Sequence, residues 1–161
     1  ELLGASPKVE VVSSVTEPGW RIQELDAALD EAIASEPDVI VYSAGANDLA
    51  PLGADGMLEA LRPRLERIGE TSCAVYPVPS VDTSSMEPAE AEQVQNILAG
   101  FETVLGEWGT TFVSYPTIAA DLEAEGARFY AEGGLGAFHP GPAAFEPIAE
   151  ELTAAVVGCE Q

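Results

Sequence analysis

With 161 residues, 47% of them apolar, the chain is long enough for a single hydrophobic core, and no apolar run approaches the ~20 residues that span a bilayer. Its 28 acidic residues against 6 basic ones leave a net charge of −22, a field that repels phosphate backbones and anionic lipid headgroups alike. Nucleic acid and membrane-surface partners are therefore excluded as leading readings, and the carboxylates, spread along the helices, read as a solvated surface.

The chain begins at Glu1 with no charged n-region and no apolar h-region. Leu2-Leu3-Gly4 followed by Ser6-Pro7 has the form of a helix end, a glycine stop and a proline that cannot continue the helix. Residues 9–15 have strand composition, and Thr16-Glu17-Pro18-Gly19 is turn chemistry. Ile22, Leu25, Leu29 and Ile33 then recur at helical steps and predict an amphipathic helix that ends before Pro37. A second strand is expected over residues 38–43. The next helix carries Leu58, Leu61, Leu65 and Ile68, with Asp55 as its cap and a kink expected at Pro63.

Residues 73–78 read as a third strand and 79–85 as a loop. Pro88 is suited to the first turn of a helix whose apolar face is Val94, Ile97, Leu98, Phe101 and Leu105. A fourth strand is expected over 110–115, then a short helix and a glycine-rich loop, Gly133-Gly134-Leu135-Gly136. The last helix runs from about residue 142 to 157, is expected to bury Phe145, Ile148, Leu152 and Val156, and has Gly158 past its end.

Strands alternating with helices in one domain predict a three-layer, flavodoxin-like α/β fold: a parallel sheet with helices on both faces. All strand C-termini then share one edge, which gathers Gly19, Asn47, the loop after Val78 and the loop before the last helix. No glycine-rich phosphate cradle follows any strand, which argues against a nucleotide-binding or flavodoxin-type regulatory role. Cys73 and Cys159 lack a CxxC spacing or a neighbouring histidine, so zinc is excluded. They are either two small buried hydrophobes or one disulfide. The topology places both at the same end of the sheet and favours the bridge.

Two stretches carry candidate chemistry. Gly45-Ala46-Asn47-Asp48 follows an apolar strand directly, although Asn and Asp in such a place ordinarily make a turn and cap a helix. His139, in Gly136-Ala137-Phe138-His139-Pro140-Gly141-Pro142, is the only histidine, so any imidazole chemistry must use it. A lone histidine is commonly structural, but this one lies on a loop at the edge where Asn47 lies.

Gly19 after a strand, Gly45-Ala46-Asn47-Asp48 after the next, and His139-Pro140 opening the last helix resemble, in that order, blocks II, III and V of the SGNH/GDSL hydrolases. The resemblance runs nearly the whole length and implies a serine carboxylic-ester hydrolase or acyl transferase that needs no cofactor or metal. In that reading His139 is the general base, while the Gly19 N–H and the Asn47 amide form the oxyanion hole. The implied substrate is a small-molecule or carbohydrate ester, and the family together with a disulfide implies secretion.

Two departures accompany the resemblance. Block I is missing: Gly4-Ala5-Ser6 is the nearest triplet, with Ala in place of Asp and no room for a helix before the strand at residue 9, so Ser6 reads as a loop residue. The nucleophile and the first strand are then expected upstream, and the single domain, residues 1–161, is expected to be N-terminally truncated. Gly136 occupies the position of the orienting Asp; Glu132 or a backbone carbonyl is left to hold the ring. A silent, hydrolase-like domain that binds carbohydrate or acyl groups is the alternative. Asp48 is expected to make structural hydrogen bonds, and Trp20, Leu52 and Phe138 either line a pocket or belong to the core.

Overall fold

The computed structural model describes residues 10–11, 14–15, 19–84, 86–130 and 139–159. Three strands, β1 (Val39–Val41), β2 (Cys73–Val78) and β3 (Thr111–Ser114), form a parallel sheet in the order β1-β2-β3. Val39 pairs with Cys73 and Val75 with Thr111, and the Tyr42 N–H extends the first ladder by donating to the Val75 carbonyl at 2.9 Å. Between and around them run α1 (Asp26–Ala34), α2 (Leu49–Gly69), α3 (Pro88–Glu107), α4 (Tyr115–Ala124) and α5 (Phe145–Gly158). Short 3₁₀ turns, Ile22–Leu25 and Pro142–Ala144, lead into α1 and α5.

The pleat decides which helix covers which face. Even-numbered strand residues Ile40, Tyr42, Tyr76 and Val78 point into one cluster with Leu29 of α1, Met57, Leu61, Leu65 and Ile68 of α2, and Phe101 and Leu105 of α3. The odd-numbered Val75 and Val113 point the other way, against Ile118, Ala119 and Leu122 of α4 and Val156 of α5. The two crossovers β1-α2-β2 and β2-α3-β3 advance the same way across the sheet. Right-handed connection therefore places α2 and α3 on a common face, as found. Each fully buried leucine, such as Leu61, contributes about 1.5–3 kcal/mol through this burial.

The three-layer α/β architecture expected from the sequence is thus present, with several local differences. Of residues 9–15, Glu10, Val11, Ser14 and Val15 are described; they are exposed and in no strand, and the rest lie outside the described residues. Strand composition expresses a fit to a half-buried pleated surface, which these exposed residues do not have. The helix capped at Asp55 in the sequence reading begins earlier, at Leu49, and is interrupted at Gly53, whose φ of 68° and ψ of 179° only glycine adopts readily. At Pro63 the dihedrals stay helical, and the flanking Leu61 and Leu65 are buried in the core.

Phe145 is not buried but 61% exposed. The inward line of the last helix is Ala144, Ile148, Leu152 and Val156, at steps of four, so Phe145 is turned about 100° away from it. Gly158 closes the helix from inside. The cysteines are bridged: Cys73 at the start of β2 is joined to Cys159 just past α5, with 5.8 Å between their Cα atoms. The bridge fixes the direction of α5. Its C-terminal end lies at the N-terminal ends of the strands, so its N-terminal end, with the preceding loop, lies at the opposite, C-terminal edge.

Candidate functional site

The exit of β1 is held by a dense set of bonds. Gly45 has φ of 101°, and a Cβ there would stand 2.9 Å from the Met57 sulfur, so both backbone conformation and space require glycine. The turn it makes closes with the Asp48 N–H donating to the Gly45 carbonyl at 2.9 Å. The Tyr76 hydroxyl donates to the Ala44 carbonyl at 2.6 Å and ties this exit to the central strand. Tyr76 is fully buried, and burial pushes its phenol far above the ordinary tyrosine value, so it remains a neutral donor.

Asn47 and Asp48 divide two tasks. The Asp48 carboxylate, 1% exposed, accepts the Ile22 N–H at 2.9 Å, and the Tyr42 hydroxyl donates to the Ile22 carbonyl at 3.4 Å. This is the structural hydrogen bonding expected of Asp48. The exposed Asn47 side chain donates through Nδ2 to the Trp20 carbonyl at 3.0 Å. That bond uses one amide hydrogen and leaves the second for another acceptor. Gly19, with φ of 84°, directly precedes Trp20, so the Gly19 turn and the Asn47 amide meet at one place at the C-terminal edge of the sheet.

His139 reaches the same edge by another route. It is exposed, on the loop before the 3₁₀ turn that starts α5. Pro140 pairs with Tyr130 in an isolated antiparallel bridge, and the Gly141 N–H donates to the Phe129 carbonyl at 2.5 Å. Tyr130 in turn meets Ser80, two residues beyond β2, with its hydroxyl 2.5 Å from the Ser80 Oγ. Glu132, Gly136 and Phe138, which bear on how the imidazole is oriented and on the pocket, lie outside the described residues, as do Gly4, Ala5 and Ser6.

Trp20 and Leu52 are not core residues: they are 37% and 45% exposed, flanking the Asn47 turn. Sequence reasoning did not single out Ser80 or Tyr130, since neither belongs to a motif and their pairing spans 50 positions. Among the described residues, no group of three or more His, Cys, Asp or Glu side chains is arranged to hold a metal ion. A cavity of about 570 Å³, lined by Asp38, Ser72 and the Cys73–Cys159 bridge, lies at the N-terminal end of the strands, away from Asn47 and His139. Sites of open parallel sheets form at the other edge, and the Ser72 hydroxyl in this lining is taken up by the Pro37 carbonyl, to which it donates at 2.7 Å.

This arrangement defines a class: a three-layer α/β domain whose glycine turn, asparagine amide and histidine loop lie at the C-terminal edge of a parallel sheet. Among solved structures, the chain is similar to a member of the lipolytic G-D-S-L family from Veillonella parvula, with a TM-score of 0.73 at 14% identity, covering 94% of this chain and 82% of that one. It is also similar to Axe2, an acetylxylan esterase from Geobacillus stearothermophilus, with a TM-score of 0.60 at 19% identity over 86% and 68% of the two chains. A third is LAE5, an α/β hydrolase from the metagenome of Lake Arreo, with a TM-score of 0.63 at 19% identity over 89% and 70%.

Two further Axe2 structures, one with a serine and one with a histidine replaced by alanine, are described as catalytic mutants. No family model and no curated protein sequence matches the chain. The fold is the one shared by these structures, which agrees with the α/β architecture and the G-D-S-L likeness expected from the sequence.

Proposed function

We propose that this domain belongs to a carboxylic-ester hydrolase in which His139 is the general base and the Gly19 N–H and Asn47 amide form the oxyanion hole. The observation that carries the reading is the 3.0 Å bond from Asn47 Nδ2 to the Trp20 carbonyl. It aims a neutral donor beside the Gly19 turn, and neutral donors fixed in place are what an ester's developing alkoxide requires. The structures of the same fold, one a lipolytic protein and one an acetylxylan esterase, support an ester substrate and make an acylated carbohydrate the first class to test.

The nucleophile this reading calls for is a serine, and extending the chain through its upstream coding sequence tests whether a Gly-Asp-Ser block supplies it. In the reaction, the serine hydroxyl attacks the ester carbonyl as His139 accepts its proton. Asn47 and Gly19 hold the oxyanion, and His139 returns the proton to the departing alcohol; water then repeats the sequence on the acyl-enzyme. The Cys73–Cys159 bridge supports an oxidising, extracellular setting.

The test is hydrolysis of p-nitrophenyl acetate and of acetylated xylo-oligosaccharides by the chain extended through its upstream coding sequence. Turnover is expected, with His139→Ala reducing kcat by more than about 10³-fold and Asn47→Ala by about 10²–10³-fold. Unchanged turnover in His139→Ala would remove that residue from the mechanism. A folded, extended protein that binds these esters without turning them over would be the silent binding domain instead.

A further inference from the structure

His139 sits on an exposed loop, yet a general base must hold its ring within a few tenths of an ångström of a working position. The structure supplies a support for it on the far side of that loop. Residues 139–141 lie antiparallel over Phe129–Tyr130: Pro140 faces Tyr130, and the Gly141 N–H donates to the Phe129 carbonyl at 2.5 Å. Pro140 has no N–H to give, and it occupies the non-hydrogen-bonded position of the pair, where none is required.

Underneath, Phe129 is 1% exposed and packs edge-on to Tyr130, with centroids 5.1 Å apart, and against Tyr115 at 6.0 Å. The platform is therefore rigid in the direction of the core. What remains is its register relative to the sheet, and one polar contact sets that: the Tyr130 hydroxyl against Ser80 Oγ at 2.5 Å, with both residues buried, at 9% and 5% exposure. Ser80 follows β2 by two residues, and β2 also holds the Asn47 turn through Tyr76 and Ala44. Burial raises the Tyr130 phenol above its ordinary value, so the pair is two neutral hydroxyls rather than an ion and a donor.

We propose that Tyr130 and Ser80 act as one positioning unit, locking the His139 strap to the exit of β2 and so fixing the imidazole relative to the Asn47 donor. The assignment rests on His139 as the base, and deepens that reading. Neither hydroxyl touches the reacting atoms. Ser80 is too enclosed to attack a substrate, and its partner, a protonated phenol, cannot take its proton.

His139 is the only histidine, so its ring resonances in a ¹H–¹³C spectrum report its position with no need for turnover. In Tyr130→Phe and in Ser80→Ala the protein is expected to stay folded, because one neutral hydrogen bond is removed, while the His139 signals shift or broaden. In the extended enzyme kcat is expected to fall roughly ten- to a hundredfold with KM unchanged. The double variant should be no worse than either single one, since the two hydroxyls act together, and Ser80→Thr, which keeps the hydroxyl, should restore the wild-type spectrum.

His139 resonances identical in shift and width to wild type in both single variants would overturn the proposal, even if the melting temperature fell, by reducing the pair to a core contact. Labelling of Ser80 by a fluorophosphonate would overturn it as well, by making that serine a reacting group. Perturbed resonances in a protein without ester turnover would keep the positioning unit and remove the esterase reading.

Discussion

The two arms of the candidate site are held in opposite ways. The Asn47 arm is fastened where it acts: within a few residues, the Asp48 carboxylate, the Tyr42 hydroxyl and the Asn47 amide all bond to backbone at positions 20–22. The His139 arm is fastened at a distance, through the Tyr130 bridge beneath its strap and through α5, whose far end is covalently tied to β2 by Cys73–Cys159. Electrostatics sharpens the contrast. Three of the six basic residues lie on α2, where Arg64 makes a two-pronged pair with Asp26 at 2.7 and 2.6 Å and Arg67 pairs with Asp30, stitching α1 to α2 beneath the Asn47 arm. α5 has no ion pair of this kind among the described residues. The fold thus fixes the Asn47 turn by local bonds and the His139 strap through the Tyr130 bridge and a disulfide-tied helix.

The largest effect is expected from breaking the covalent tie. Cys73 and Cys159 are 86 residues apart, so their link removes on the order of 4 kcal/mol of chain entropy from the unfolded state. Reduction, or Cys73→Ser with Cys159→Ser, should lower unfolding free energy by roughly 3–4 kcal/mol in urea titration. If the two arms are held independently, hydrogen exchange at pH 7 should quicken along α5 while the amides of residues 20–22 and 45–49 keep their protection. Equal loss of protection in both places would show that the arms form one cooperative unit.

Attacking the other arm should give the reverse pattern with a smaller loss. Asp48→Ala strands the buried Ile22 N–H and removes a charged acceptor, which costs about 2–3 kcal/mol. Asp48→Asn, which keeps an acceptor oxygen in place, should cost less than half as much in the same titration. Exchange should quicken at Ile22 and Leu49 and leave α5 as it is. If Asp48→Ala unfolds no more easily than wild type, the carboxylate is not what holds the turn.

Much of this frame was readable in the residues, and the exceptions share a cause. β2 matches its expected bounds, Cys73–Val78, and α3 begins at Pro88 because local chemistry decides both. The Gly45 turn was legible for the same reason. Phe145 misled because an apolar residue one position off the inward line looks the same as one on it, and only the 3₁₀ turn before α5 sets the phase. Glu10, Val11, Ser14 and Val15 misled because strand propensity does not reveal whether a pleated neighbour is there to receive it. The Trp20 carbonyl and the Ser80–Tyr130 pair left no sequence signal at all, since backbone oxygens and hydroxyls occur everywhere and only tertiary contact selects these.

Alkaline titration compares the arms within one unmodified molecule. All four tyrosines are raised above their ordinary value, chiefly by burial; Tyr42 and Tyr76 serve the Asn47 arm, Tyr115 and Tyr130 the His139 arm. Tyr42 is pushed up to about 12, from 10.0 in an exposed residue. Between those two values the unfolded chain has released this proton and the folded one still holds it, so stability falls as pH rises through the window. Below 10 both states are protonated and Tyr42 contributes no pH dependence. The loss from Tyr42 alone is roughly 2 kcal/mol by pH 12. Tyrosinate absorbance near 295 nm should therefore stay low until the chain unfolds, then rise cooperatively with the loss of circular dichroism. Tyr42→Phe should shift that midpoint to higher pH, because one of the protons whose release drives unfolding is gone, and Tyr130→Phe should remove a chromophore and shift it the same way by less. A gradual rise in absorbance well below the unfolding transition would mean that phenols are reaching solvent in the folded state, and that the Asn47 arm is looser than its bonds imply.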